Sequence, residues 1–201
     1  TAYDIRIDAP ATLSGSPAGG VFSGAGITGT NFNCVTAGVG THTIQYAYTD
    51  AHGCITTVYR TTTVKDYNLR AGARLIDNIA DWCSAAAAYS NTTATGDGAA
   101  GSCWSGGTDH NVWFAFVATG SGFNVNVITG GTQGTMRGQQ VAIWNQAGTQ
   151  VACNDAGWNY SGTLTLGADT LKTGHIYYIS VDDQTTHGTF TLCTDNEAGY
   201  D

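Results

Sequence analysis

Short segments in which apolar and polar residues alternate, separated by turn residues, constrain the fold of this chain most strongly. Residues 123–127 alternate Phe and Val with Asn, and residues 163–166 alternate Thr with Leu. Gly, Asn and Asp interrupt such segments at intervals of roughly ten residues, as in all-β sandwiches. Residues that favour helices are scarce, because Glu197 is the only glutamate and Lys and Arg together number 7 among 201 residues. The pattern therefore predicts an all-β protein.

The uneven distribution of charge along the chain indicates two units. Residues 1–74 carry four Asp against five Lys and Arg, a net charge of +1. Residues 75–201 carry ten Asp and one Glu against two Lys and Arg, a net charge of −9, and the two values sum to the −8 of the whole chain. We therefore expect two tandem domains, residues 1–66 and residues 67–201.

The same composition excludes some classes of partner. An acidic chain lacks the Lys and Arg that phosphate contacts require, so we expect no nucleic-acid partner. No run of about 18 apolar residues occurs, so we expect no membrane insertion. The chain begins at Thr1 without a signal peptide, and we expect it to be a fragment of a longer protein.

Each of the two expected domains contains an even number of cysteines, which predicts disulfides within each domain. The cysteines are Cys34 and Cys54 in the first domain, and Cys83, Cys103, Cys153 and Cys193 in the second. A disulfide between Cys34 and Cys54 follows if the first domain is self-contained, whereas the other four cysteines allow three pairings. Zinc sites usually show a CxxC or CxxH spacing, and none occurs here. Disulfides imply an oxidising, extracytoplasmic setting, so we expect a secreted or cell-surface protein.

The first domain resembles a known class of bacterial repeat. Residues 41–49 and 54–64 read as two strands of a hairpin, and short strands are expected at Val21-Phe22 and Asn31-Phe32. The segments 16–24, 31–32, 37–44, 46–50 and 53–54 together resemble the Ig-like/PKD-like repeats in large secreted proteins of gliding, type IX-secreting bacteria. The resemblance covers about residues 8–64 and implies a small Ig-like sandwich that acts as a spacer.

The second domain resembles the bacterial pre-peptidase C-terminal (PPC) domain over about residues 76–195. Strands are expected at residues 112–117, 123–127, 140–144, 151–153, 163–166, 175–181 and 190–193, and a short helix at the Ala-rich residues 81–88. The order of Cys83, VWFAF at 112–116, VAIW at 141–144, VACND at 151–155, YYISV at 177–181 and GTFTLC at 188–193 carries the resemblance. It implies a jelly-roll-like β-sandwich that is non-catalytic and in some members binds calcium.

No catalytic signature is present, so we expect no enzyme. Neither a G-x-S-x-G nucleophile elbow nor an HExxH zinc motif occurs. The five histidines are scattered, and the interpretation as turn or surface residues is favoured over a Ser-His-Asp triad. Asp155 with Asp182 or Asp183 would be the carboxylate pair of a glycosidase, but no surrounding motif supports that alternative.

Acidic residues at predicted strand ends suggest calcium as a cofactor. Ca²⁺ takes six to eight oxygen ligands from carboxylates, amides and carbonyls. Asn154-Asp155 and Asp182-Asp183 follow predicted strands, and Asp109 precedes another. Loops at one end of a sandwich can cluster, so these five side chains are the expected metal ligands. The alternative is that Asn and Asp simply make turns, because their side chains bond the nearby backbone.

Aromatic residues in polar segments suggest a sugar-binding patch. Trp113 and Trp144 lie in predicted strands and are expected in the core, whereas Trp104, Trp158 and Tyr160 lie in Gly/Ser/Asn-rich segments. Exposed aromatic rings stack on the apolar faces of sugars, whose hydroxyls need polar partners. Trp158, Asn159 and Tyr160, beside Asn154-Asp155, form the best candidate patch. The alternative is that Trp158 covers the edge of the sandwich.

Together these features predict a non-catalytic structural and adhesive module pair of a large secreted or surface-anchored bacterial adhesin. Its expected partners are a surface polysaccharide or neighbouring modules of the same chain, and end-to-end self-association is left open. The alternative is an accessory carbohydrate-binding module of a secreted hydrolase. Asp169-Thr170-Leu171 fits the short O-glycosylation pattern of such bacteria, which makes Thr170 the expected glycosylation site.

Overall fold

A computed structural model describes residues 2–196 of the chain. Within that range the chain divides into two compact units between Asp66 and Tyr67. Strands dominate both units, and the prediction of an all-β protein made of two β-sandwiches is confirmed. Among the described residues, no helix is long and apolar enough to cross a membrane.

The first unit consists of two small sheets. Its elements are β1 Ala2–Asp4, β2 Ala11–Thr12, β3 Val21–Ser23, β4 Ile27–Thr28, β5 Asn31–Phe32, the helix α1 Cys34–Ala37, β6 Gly40–Thr49 and β7 Ile55–Lys65. One sheet has the order β1-β7-β6-β3, with β1 parallel to β7, and the other has the order β2-β5-β4. Phe32, Cys34 and Val64 form the buried core of this unit.

The β6–β7 hairpin follows directly from the sequence. Ile44, Tyr46 and Tyr48 lie on one face of β6, as the alternation of a half-buried strand requires. The turn is held by the side chain of Asp50, whose Oδ1 accepts hydrogen bonds from the backbone amides of His52 (2.8 Å) and Cys54 (2.9 Å). The strands predicted at residues 41–49 and 54–64 are therefore confirmed.

Cys34 and Cys54 are not bonded to each other, which corrects the disulfide expected in the first unit. Cys34 begins α1 and is buried beside Val64, whereas Cys54 is exposed in the turn that precedes β7. The ten residues of β6 lie between them. An extended strand of that length spans about 33 Å, and a disulfide needs Cα atoms within about 7 Å. An even number of cysteines in a domain does not show whether two of them lie close enough to bond.

The second unit is a sandwich of two larger sheets. Its elements are a 3₁₀ helix Arg70–Gly72, β8 Arg74–Leu75, β9 Trp82–Cys83, β10 Tyr89–Ser90, β11 Val112–Val117, β12 Phe123–Ile128, β13 Arg137–Asn145, β14 Gln150–Asp155, β15 Thr163–Ala168, β16 Ile176–Thr186 and β17 Thr189–Asp195. One sheet has the order β14-β13-β16-β11-β8. The other has the order β10-β17-β12-β15, and β9 also pairs with β17.

Alternate residues of these strands form the core. Val125, Val127, Val141, Ile143, Ile179, Val181, Phe190 and Leu192 are all fully buried. Trp113 and Trp144 are buried on the other face of the β13–β16 sheet, which confirms their expected place in the core. Trp104 packs against them, and its Nε1 donates a 3.3 Å hydrogen bond to the carbonyl of Val141. Trp104 is therefore a core residue rather than a loop aromatic open to a ligand.

Both disulfides lie in the second unit. Cys83 is bonded to Cys193, its direct partner in the pairing of β9 with β17. Cys103 is bonded to Cys153 with the two Cα atoms 6.1 Å apart. The helix expected at residues 81–88 is absent, because Cys83 lies in a strand and Asp81 and Ala87 have positive φ angles of 47° and 54°. A positive φ is incompatible with a right-handed helix.

Candidate functional site

The loop between β14 and β15 presents two exposed aromatic side chains. Trp158 is 75% exposed and Tyr160 is 42% exposed. Trp158 therefore does not cover the sandwich edge, since most of its surface is open to solvent. The loop gives the second unit an apolar surface that no described part of the chain occupies.

Hydrogen bonds fix the backbone of this loop. The amide of Asn159 donates to Oγ1 of Thr185 on β16 (2.9 Å), and the carbonyl of Tyr160 accepts from the amide of Gly138 on β13 (2.9 Å). Gly157 and Asn159 have φ angles of 83° and 57°, in the left-handed region that Gly and Asn tolerate best. The loop is thus anchored to β13 and β16, two inner strands of the sheet.

Asp155, the last residue of β14, anchors the beginning of the loop. Its Oδ1 accepts from the amide of Gly157 (2.7 Å), and its Oδ2 accepts from the amide and hydroxyl of Ser105 and from Nε2 of Gln140 (3.0 Å). Partial burial raises the pKa of Asp155, but the hydrogen bonds from Ser105, Gly157 and Gln140 outweigh it and hold the pKa below its usual value. Both carboxylate oxygens thus have structural partners.

The structure separates the expected calcium ligands into two groups. Asn154 and Asp155 end β14, and the side-chain amide of Asn154 donates to the carbonyl of Thr165 (2.7 Å). Gln140 on β13 pairs with Asp155 on one side and with Asp182 on the other. A full strand therefore lies between the two acidic positions. Calcium binding stays a prediction.

Asp182 and Asp183 lie within β16 rather than at its end, which corrects the expected strand boundary. Asp182 is fully buried, and its carboxylate accepts from the amides of Asp183 (2.8 Å), Asp109 (3.1 Å) and His110 (3.2 Å). Burial, and then the charge of Asp183, raise the pKa of Asp182 to about 7 against the opposing effect of these amides. Asp182 thereby holds residues 109–110, which precede β11, against β16.

Asp183 lies beside two histidines that sequence reasoning placed at turns or the surface. The ligating atoms of His110, Asp183 and His187 all lie within 4.8 Å of one another. Burial raises the pKa of Asp183, although a hydrogen bond from Asn91 and the two histidines oppose the shift. Pairing between β11 and β16, in which Val112 lies opposite Val181, places His110 opposite Asp183 when continued by two residues. The pairing of β11 with β16 brings these residues together. The spacing of the histidines in the sequence does not predict this contact.

Thr170, the expected glycosylation site, is exposed in the segment that follows β15. Asp169 is also exposed, whereas Leu171 is buried. The hydroxyl of Thr170 is therefore accessible to a modifying enzyme, and its glycosylation stays a prediction.

No protein-family model matches the chain, and no curated protein matches it. Among solved structures, the M60 catalytic domain with CBM51-1 and CBM51-2 of Clostridium perfringens ZmpB aligns with 96% of this chain and 22% of its own, at 11% identity and a TM-score of 0.30. CBM51-2 with GlcNAc and INT domains of the same protein aligns with 96% of this chain and 46% of its own, at 12% identity and a TM-score of 0.30.

A structure on the promiscuous specificity of carbohydrate-binding modules from the β-sandwich superfamily aligns with 88% of this chain and 82% of its own, at 12% identity and a TM-score of 0.26. The chain spans less than half the length of the two Clostridium perfringens structures. Likenesses at these TM-scores do not establish a shared function.

Proposed function

We propose that the second unit is a carbohydrate-binding β-sandwich that serves as a non-catalytic module of a secreted protein. The observation that carries this proposal is the exposure of Trp158 on a loop whose backbone is fixed by hydrogen bonds to β13 and β16. The flat indole stacks on the apolar C–H face of a sugar ring, and Tyr160 adds a second aromatic surface nearby.

Polar groups beside the indole supply partners for sugar hydroxyls. The side-chain amide of Asn159 is exposed and makes no hydrogen bond within residues 2–196, so both its oxygen and its nitrogen are available. Sugar-binding sites combine such a small number of placed polar groups with aromatic surface. Asn159 therefore serves to orient the sugar that Trp158 contacts.

The fixed loop supports affinity as well as orientation. A ligand that binds a mobile loop must overcome the entropy of ordering it, whereas a loop held in place avoids that cost. Hydrogen bonds within the protein hold Asn159 and Tyr160 to the sheet and Asp155 to the base of the loop. These hydrogen bonds support the proposal, because they lower the cost of ordering the loop when a sugar binds.

The adhesive role belongs to the same proposal. Two disulfides in the second unit suit a protein that acts outside the cytoplasm. A surface polysaccharide, or a glycan on a neighbouring molecule, is the partner this surface fits. The exposed aromatic loop lies in the second unit, and we assign the first unit the role of spacer.

A glycan array tests the proposal with the whole chain, run once with calcium and once with EDTA. Wild-type protein is expected to bind a defined glycan. Trp158→Ala is expected to weaken that binding at least about tenfold, as when an aromatic side chain that the ligand covers is removed from a binding site. Tyr59→Ala removes a similarly exposed aromatic from β7 and is the matched control. A blank array with folded protein, or equal losses in both variants, would contradict the proposal.

A further inference from the structure

Two imidazole rings and one carboxylate converge where the β16–β17 hairpin meets the segment before β11. We propose that His110, Asp183 and His187 bind a divalent transition-metal ion of the Zn²⁺ class. This site is separate from the aromatic loop and independent of the proposed carbohydrate binding.

The geometry of the three side chains suits a metal. The rings of His110 and His187 are stacked at 26° with centroids 4.5 Å apart, and one ligand atom from each residue lies within 4.8 Å of the others. In a tetrahedral site with bonds of about 2.0–2.1 Å, ligand atoms lie about 3.4 Å apart. A closure of at most about 1.4 Å therefore completes the site. The side chain of His187 is exposed, so a rotation of that side chain can supply the movement while the backbone stays in place.

Asn91 orients the carboxylate and holds the hairpin at the same time. Its side-chain nitrogen donates a 2.8 Å hydrogen bond to Oδ1 of Asp183, and its side-chain oxygen accepts a 2.8 Å bond from the amide of Gly188. In residues 2–196 no hydrogen bond reaches Oδ2 of Asp183, which leaves this oxygen for a metal. A carboxylate ligand fixed by an outer partner is typical of metal sites in proteins.

Gln139 carries a buried hydrogen-bond acceptor on the strand next to Asp183. It lies directly across from Asp183 in the pairing of β13 with β16 and is fully buried. Its nitrogen donates to Oγ1 of Thr129 (2.6 Å) and to the carbonyl of Gly162 (3.0 Å), but its Oε1 has no hydrogen-bond partner in the described part of the chain. Buried polar atoms rarely lack a partner. A water molecule, either free or bound to a metal at Asp183, would supply one.

The donor set selects the class of metal. Imidazole nitrogens suit Zn²⁺, Cu²⁺ and Ni²⁺, whereas Ca²⁺ takes six to eight oxygens. Three protein ligands also leave a fourth position for water. The metal would connect His110, which precedes β11, to His187 in the β16–β17 hairpin, and so close this end of the sandwich.

Calorimetric titration with Zn²⁺ at neutral pH tests the proposal on the untagged full chain. Cys54→Ser serves as the background, because an exposed thiol is a competing zinc ligand. We expect one equivalent of Zn²⁺ to bind with an enthalpy signal. His187→Ala is expected to lower the affinity at least about tenfold, the scale found even for outer-shell partners. His187 is exposed, so this variant keeps its fold.

His175→Ala is the matched control, because His175 is also exposed and lies outside the cluster. It is expected to bind Zn²⁺ as the background does. His110→Ala, with folding checked by circular dichroism, is expected to match His187→Ala. Zinc binding that persists in His187→Ala, an equal loss in His175→Ala, or no binding of Zn²⁺ at all would overturn the proposal.

Discussion

The backbone amide of Asn159 donates a 2.9 Å hydrogen bond to Oγ1 of Thr185, so the aromatic loop is attached to the central strand β16. Asp183 lies two residues earlier on the same strand. The surface proposed to bind a sugar and the cluster proposed to bind a metal therefore share a strand. Either ligand would stabilise the same end of the second unit.

Replacing Thr185 with Val tests the attachment of the loop. Thr185→Val removes the acceptor at nearly constant shape, and we expect a loss of about 1 kcal/mol in unfolding free energy. Hydrogen exchange at the Asn159 amide should become faster. Thr186→Val, at the exposed end of β16, is the control. Unchanged exchange at Asn159 in Thr185→Val would mean that the hydrogen bond does not restrain the loop.

Thiol counting tests the cysteine assignment. Cys34 is buried and Cys54 is exposed, and neither is bonded. A thiol reagent should therefore react rapidly with one cysteine in the native protein and with two after denaturation without reductant. Cys54→Ser should abolish the native reaction. A count of zero after denaturation would mean that Cys34 and Cys54 are linked after all.

The two disulfides should differ in their effect on stability. Cys83 and Cys193 are 110 residues apart, and Cys103 and Cys153 are 50 apart. In the chain-entropy account a longer closed loop constrains the unfolded state more, by about 0.7 kcal/mol for this difference. Denaturant unfolding measures this difference in two double variants, one with Cys83 and Cys193 replaced by Ala and one with Cys103 and Cys153 replaced by Ala. A larger loss on removing Cys103 and Cys153 would show that native contacts outweigh loop length.

Acid stability should depend on Asp155. Hydrogen bonds lower the pKa of Asp155 below 3.8 in the folded state despite the opposing effect of burial, so the unfolded chain binds a proton more readily. Its contribution to stability is present above about pH 3.8 and is lost as the pH falls through the folded pKa. Asp155→Asn should therefore lower the Tm at pH 7, and the difference from wild type should shrink below pH 3.8.

Asp169→Asn is the matched control for this pH profile, because Asp169 is exposed after β15. Its Tm is expected to follow that of wild type at every pH. A Tm difference for Asp155→Asn that stays constant between pH 7 and pH 2.5 would contradict the proposed role of the carboxylate.

Local pattern predicted the strands well because alternation depends on near neighbours. β6, β7, β11, β12 and β15 lie within a few residues of their expected positions. The helix predicted at residues 81–88 was wrong. A high Ala content favours a helix, but strand pairing in the folded protein overrides that preference. Cys83 pairs with Cys193 on β17, a contact 110 residues away.

The candidate sites depend on contacts that a single sequence does not contain. Trp104 and Trp158 both lie in Gly-rich segments, yet Trp104 packs on the sheet and Trp158 faces solvent. The difference arises from the path of each loop over the sheet. His110, Asp183 and His187 likewise meet only through the pairing of β11 with β16 and the turn that follows. The sequence pattern predicted that Asp155 and Asp182 lie in one site. In the structure the strand β13 separates them.

The most direct test of carbohydrate binding observes Trp158 itself. In a ¹H–¹⁵N spectrum the five tryptophans give five indole N–H signals, which single Trp→Phe variants assign. Titration with the glycan selected on the array should shift the Trp158 indole saturably, together with the Asn159 and Tyr160 amides, and leave the Trp113 indole in place. A saturable shift confined to other residues, or no shift at any glycan concentration, would contradict the account.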